Sequence, residues 1–128
     1  MNLLLDTQAI LWFWWADSKL SSVASAAICD PTARKLVSPA SPWEVAIKVS
    51  RKKLDIGGPF RGFFPQQMQR NNFVWLPILD DHLVELIDLP FHHKDPFDRL
   101  QIAQALAEGI PIVSADVQLD AFGVTGIW

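Results

Sequence analysis

Four acids in this chain stand where an alternating strand–helix sequence would gather its loops. Asp6 closes the apolar run Leu3-Leu4-Leu5, and Asp116 comes three residues after Ile112-Val113. Glu44 falls in the first turn of the helical stretch after Leu36-Val37-Ser38, and Asp98 in the first turn of the stretch opened by Asp95-Pro96. Four carboxylates brought close together repel and raise one another's pKa. A hard divalent cation, Mg²⁺ or Mn²⁺, removes that conflict, because it takes oxygen ligands and keeps several waters. Water on such a cation loses a proton more easily and can attack a phosphodiester. The chemistry suggested is metal-dependent hydrolysis, with Asp6 and Asp98 the first choices as direct ligands.

Each acid also has a local explanation. Ser41-Pro42-Trp43-Glu44 fits the S-x-x-E capping box, in which the acid only satisfies a backbone N–H. Asp95-Pro96-Phe97-Asp98 fits a helix start with Asp as cap and Pro in the first turn, leaving Asp98 as a partner of the helix dipole. Asp6 has a comparable excuse only if it caps a helix beginning at Thr7.

The elements that must position these acids follow from the apolar pattern. Leu3-Leu4-Leu5, Leu36-Val37-Ser38, Phe73-Val74-Trp75-Leu76 and Ile112-Val113 are short apolar runs expected to be strands, with Ile127-Trp128 as a fifth. Helices are expected from Thr7 to Trp15, from Ser21 to about Asp30-Pro31, and from a Ser41 cap to about Ser50. Three more are expected: one after the Gly57-Gly58-Pro59 break reaching Arg70, one from Asp80 to about Ile87, and one from Asp95-Pro96 to a C-cap at Gly109. The alternation predicts a parallel sheet of four to five strands covered on both faces. Ligands in such sheets bind beyond the carboxyl ends of the strands, where the four acids fall.

With 128 residues, half of them hydrophobic, the chain suits one globular domain. No apolar run approaches the roughly 20 residues that span a bilayer. The start Met1-Asn2-Leu3-Leu4-Leu5-Asp6 lacks the basic and long apolar regions of a signal peptide. Cys29 is the only cysteine, so no intramolecular disulfide forms, and a reducing cytoplasmic setting is the simplest expectation. The net charge of −3 looks unsuited to a nucleic-acid partner, yet it becomes +1 once four ligand carboxylates are set aside. Lys48, Arg51, Lys52 and Lys53 cluster, with Arg61 and Arg70 beyond. They read either as a phosphate-binding patch or as cations at a helix C-terminus.

Leu3-Leu4-Leu5-Asp6-Thr7-Gln8-Ala9-Ile10-Leu11-Trp12 and Ser41-Pro42-Trp43-Glu44-Val45-Ala46-Ile47-Lys48 resemble the opening and the second motif of the PIN-domain proteins of the VapC toxin type. Asp95-Pro96-Phe97-Asp98-Arg99-Leu100-Gln101-Ile102-Ala103-Gln104-Ala105 is similar to the third and most specific motif, and Val113-Ser114-Ala115-Asp116 to the fourth. The resemblance implies an α/β/α sandwich and a Mg²⁺- or Mn²⁺-dependent endoribonuclease acting as the toxin of a type II toxin–antitoxin pair. It places Asp6, Glu44, Asp98 and Asp116 on the family's acidic positions, with Ser114 and Thr7 as supporting hydroxyls. Ser114 stands where the family often has Thr, and Gln8 where many relatives carry His. It also implies a cognate antitoxin, a structured RNA substrate and a symmetric homodimer.

Other residues are weighed on their own chemistry. Trp12-Phe13-Trp14-Trp15 puts aromatics on more than one helix face, so some must be core and the rest form an apolar patch. Trp12, Trp14 and Trp15 are the residues expected to meet an antitoxin. Lys48, Arg51 and Arg99 are placed to contact RNA phosphates, although Lys48 can pair with Glu44 and Arg99 with Asp95, each four residues away. His92-His93 reads as a solvated loop pair, since no third ligand completes a zinc set. Rival enzymes fit less well. A haloacid-dehalogenase-type phosphatase needs a second acid two residues after the first, where Gln8 stands. A receiver domain needs an Asp closing its third strand, where Pro77 follows Leu76. The non-enzyme alternative is a catalytically inert PIN-fold interaction module.

Overall fold

The computed structural model describes residues 1–91 and 95–128, so the His92-His93 pair lies outside the described residues. The elements run β1 (Asn2–Leu5), α1 (Thr7–Trp14), α2 (Ser22–Cys29), β2 (Arg34–Val37), α3 (Ala40–Ser50) and α4 (Phe63–Asn71). They continue with β3 (Phe73–Trp75), α5 (Asp80–Ile87), α6 (Pro96–Glu108), β4 (Ile112–Val113), a 3₁₀ turn at Leu119–Phe122 and β5 (Gly126–Ile127).

All five strands are parallel, in the order β3-β2-β1-β4-β5. From β1 the chain moves outward through β2 to β3, then returns past β1 to build β4 and β5. The direction of winding therefore reverses between β1 and β4. That reversal leaves a crevice at the carboxyl ends of these two strands, because their following segments depart to opposite sides. Asp6 sits at its edge, its N–H donating to Val113 O at 3.1 Å.

The central strand is buried on both faces. Successive side chains of a strand point to opposite sides. Leu3 and Leu5 enter one core with Ile10, Ile28, Val37, Phe64, Met68 and Val113. Leu4 enters the other with Leu36, Ile102, Ala103, Ile112, Leu119 and Phe122. All three leucines are fully buried, which is why the run is apolar without alternation. Thus α1, α2 and α4 cover one face and α6 the other, with α5 packed on α6, giving the expected three-layer α/β/α arrangement. Helix α3 contacts both α1 and α6, and so brings its own side chains to the crevice.

The local signals set most boundaries. Ser21 caps α2 by accepting from Ala24 N–H, and Asp95 caps α6 by accepting from the N–H groups of Phe97 and Asp98. Gly109 ends α6 at φ 66°, a left-handed backbone that glycine takes without steric cost. One expectation is corrected. Ser41 is not the cap of α3. The helix begins at Ala40 with Pro39 at the N-cap, and Ser38 Oγ accepts from Ala40 N–H at 3.1 Å. With that N–H satisfied by Ser38, the Ser41 hydroxyl turns inward.

Candidate active site

The crevice holds an open cavity of about 370 Å³, and all four acids, Asp6, Glu44, Asp98 and Asp116, line it. Thr7, Gln8, Trp12, Lys48, Asp95 and Ala115 complete its wall. Beside it lies a recess of about 10 Å³ lined by Asp6, Asp98, Gln101, Ser114 and Asp116, with Ile102, Ile112 and Leu119 behind. That volume matches roughly one water-sized sphere. Segments distant in sequence reach it because β1 and β4 are neighbours and α3 and α6 pack together above them.

Asp6 carries two duties. Its Oδ1 accepts from Ala9 N–H at 2.8 Å, so it caps α1. Its carboxyl is nevertheless pushed up from 3.8 to about 6. Burial is the main cause, and the charges of Glu44 and Asp116 add to it, while hydrogen bonds from the Ser114 side chain and Ala9 pull the other way. Capping alone would lower this pKa. Ser114 Oγ also accepts from Asp116 N–H at 3.0 Å, so one hydroxyl joins the ends of β1 and β4.

Glu44 is buried, and its two oxygens have separate partners. Oε1 accepts from the Thr7 hydroxyl at 2.7 Å, and Oε2 meets Lys48 Nζ at 2.9 Å. Neither partner is the N-cap backbone, so the capping-box explanation of Glu44 falls away along with the Ser41 cap. The Lys48 pair expected from the four-residue spacing is formed, and Lys48 keeps its side chain 44% exposed at the cavity edge.

Behind Glu44 lies a buried polar cluster. Thr7 Oγ1 is 3.0 Å from Ser41 Oγ, and Gln101 Nε2 donates toward both oxygens at 3.3 and 3.2 Å. A carboxylate only accepts, so the Thr7 proton points at Glu44 and the Gln101 amide supplies the donor that Thr7 then needs. Gln101 was missed in the sequence. Its signal is a large amide at a core position of α6, three residues before Gln104, which is also fully buried.

The donor set fits a hard divalent cation. The acids offer only oxygen, burial with added repulsion from Glu44 and Asp116 disfavours the bare Asp6 charge, and the recess has room for one small ion or water. Gln101 Oε1 is buried without a hydrogen-bond donor although its side chain lines that recess. Among the described residues no three acids, histidines or cysteines form a ready-made metal cage. Mg²⁺ needs none, because it binds through one or two carboxylates and completes its shell with water.

The other expected contacts divide. Arg51 stands exposed at the end of α3. Arg99 is turned to the neighbouring loop instead of the cavity: its guanidinium donates to Pro90 O at 2.8 Å and lies 4.7 Å over the Phe91 ring. Trp12 lines the cavity and packs beside Trp128, and Trp15 is 38% exposed. Trp14 instead packs against Phe63, Phe64 and Phe73, which makes it chiefly a core residue. No helix among the described residues is long and apolar enough to cross a membrane.

A cleft of carboxylates at the switch point of a five-stranded parallel sheet defines a class of α/β proteins with a polar, cation-ready site. The family model of the PIN domain matches residues 3–124, and the chain belongs to that family. Solved structures share the fold at low identity. VapBC2 of Rickettsia felis, bound to a promoter DNA fragment, is 12% identical, with TM-score 0.71 over 98% of this chain and 97% of that one. VapBC-1 of nontypeable Haemophilus influenzae is 14% identical, with TM-score 0.66 over 98% and 96%. FitAcB of Neisseria gonorrhoeae is 15% identical, with TM-score 0.61 over 97% and 95%. No curated protein sequence matches this one.

Proposed function

We propose that this PIN-domain protein is a divalent-metal-dependent endoribonuclease, the toxin half of a toxin–antitoxin pair. The observation that carries the reading is the meeting of Asp6, Glu44, Asp98 and Asp116 in one cavity of a PIN fold. Asp6, Asp98 and Asp116 would hold Mg²⁺ or Mn²⁺, with Glu44 at the cavity's α3 side. Held there, a divalent cation would supply Lewis-acid chemistry, acidifying water for attack on the phosphodiester and neutralising charge on the departing oxygen.

The protein's own groups do the rest. Asp6, whose carboxyl lies at about 6 without metal, would give up its proton as the cation binds. Ser114 orients Asp6 and ties it to the Asp116 backbone. Thr7 and Lys48 fix the Glu44 carboxylate from two sides, so it stays aimed at the cavity. Lys48 and Arg51 attract the RNA backbone to the α3 side.

The solved complexes of VapB with VapC supply the model for a protein partner. An antitoxin segment laid over Trp12 and Trp15 would place a Lys or Arg in the carboxylate cavity and exclude metal. The working unit is a homodimer in the cytoplasm. The test is cleavage of RNA by the purified chain with Mg²⁺ or Mn²⁺, with chelator, and as Asp98→Asn. Cutting that needs metal and Asp98 supports the reading. Cutting that survives chelator overturns the metal mechanism, and no cutting in any divalent metal leaves the inert interaction module.

A further inference from the structure

Trp43 is 62% exposed, and among the described residues it is the only large hydrophobic side chain of α3 left in solvent. Its place is specific. It directly precedes Glu44, whose carboxylate lines the cavity, so the indole lies on the adjoining face of the same helix, about 100° round from it. On the neighbouring helix, Phe97 directly precedes Asp98, another acid of the cavity. The two rings meet edge to face, 5.0 Å between centroids and 88° between planes. Such a contact covers at most one face of an indole and holds the ring in place. The result is a steadied aromatic surface, open to solvent, fixed to the two helices that carry two of the four acids.

We infer that Trp43, steadied by Phe97, is a stacking platform for one unpaired nucleobase of the RNA beside the bond to be cut. The inference rests on the ribonuclease reading above and adds a substrate subsite to it. Three features favour a base as occupant. The platform is a single ring pair, too small by itself for the apolar centre of a protein interface, and it stands on α3 and α6, whereas Trp12 and Trp15 belong to the α1 end of the chain. Lys48, on the same helix and lining the cavity, lies within the reach of adjoining phosphates. A base offers a flat face to a ring only when it is out of a duplex, so the platform selects loops and single strands over paired RNA.

The test measures binding in chelator, where no cutting occurs, using fluorescently labelled oligoadenylate and a blunt duplex of the same length. Trp43→Ala should weaken single-strand binding by about 5- to 150-fold, the span expected for one lost base–aromatic stack. Trp43→Phe should lose less, and duplex binding should hardly change. A second measurement does not depend on how the Ala variant folds. Abasic nucleotides are placed one at a time along the oligonucleotide. The wild type should show one sensitive position, whose sensitivity should fall in Trp43→Phe and vanish in Trp43→Ala. With Mg²⁺ or Mn²⁺ restored, the loss should appear in single-strand kcat/KM while the metal midpoint stays put. Unchanged single-strand affinity, equal losses on single strand and duplex, or a loss of affinity only for a protein partner would each overturn the platform. If the wild type binds single strands through Trp43 but cuts nothing, the nuclease reading fails and the subsite stands.

Discussion

Replacing Asp6 by Asn should make the protein both more stable and inactive, and the pH at which the stability appears identifies the cause. Burial and two neighbouring carboxylates hold the Asp6 carboxyl at about 6 instead of 3.8. A rise of that size corresponds to about 3 kcal/mol of disfavour for the ionised form in the folded state. The folded pKa lies above the unfolded one, so the native state holds the proton more tightly. The stabilisation this brings is full below about pH 4, fades as pH rises through about 6, and is gone above it. Asparagine never ionises, and it caps a helix as well as aspartate does, so Ala9 keeps its partner. At about pH 8 the variant should therefore melt up to roughly 10 °C above wild type, and near pH 4 the two should nearly coincide. Mg²⁺ should reverse the order by stabilising the wild type through binding while leaving the variant almost unmoved. Thermal melts across this pH range, with and without Mg²⁺, supply the check. An Asn variant that is less stable at high pH, or that differs equally at both ends, would refute the assignment of the cost to a buried Asp6 charge.

Four further outcomes are expected. Thr7→Val removes the donor to Glu44 and one of the two acceptors of the Gln101 amide, so urea denaturation should show a loss of about 1–3 kcal/mol, with cleavage falling because Glu44 is held by Lys48 alone. Trp14→Ala should cost about 3–5 kcal/mol by opening a cavity among Phe63, Phe64 and Phe73. Trp15→Ala should leave stability nearly unchanged and weaken antitoxin binding; unaltered affinity by calorimetry would place the partner elsewhere. Light scattering of the antitoxin-free chain at micromolar concentration should give the mass of a dimer, and a monomer would remove the dimer from the proposal.

Much of the frame is local in origin and could be seen in the sequence. Leu3-Leu4-Leu5 and Ile112-Val113 are too apolar to lie anywhere but inside a sheet covered on both faces, and they do. Ser21, Asp95 and Gly109 mark helix ends because caps are satisfied within a few residues of the chain. The four acids were visible for the same reason, since each lies within a few residues of a strand end or a helix start. Their roles were not visible. Ser41-Pro42-Trp43-Glu44 carries the same letters as a capping box, and only the approach of α1 and α6 turns Ser41 and Glu44 inward to Thr7 and Gln101. Arg99 could have reached a phosphate, but the 89–91 loop folds back under its guanidinium. Trp14 and Trp43 are the same residue type on similar helices, one packed among phenylalanines and the other left at the rim. Local torsions and hydrophobic period depend on neighbours in sequence. Which polar group meets which, and which ring stays in water, depends on contacts made across 34 to 94 residues, and those exist only once the sheet has assembled.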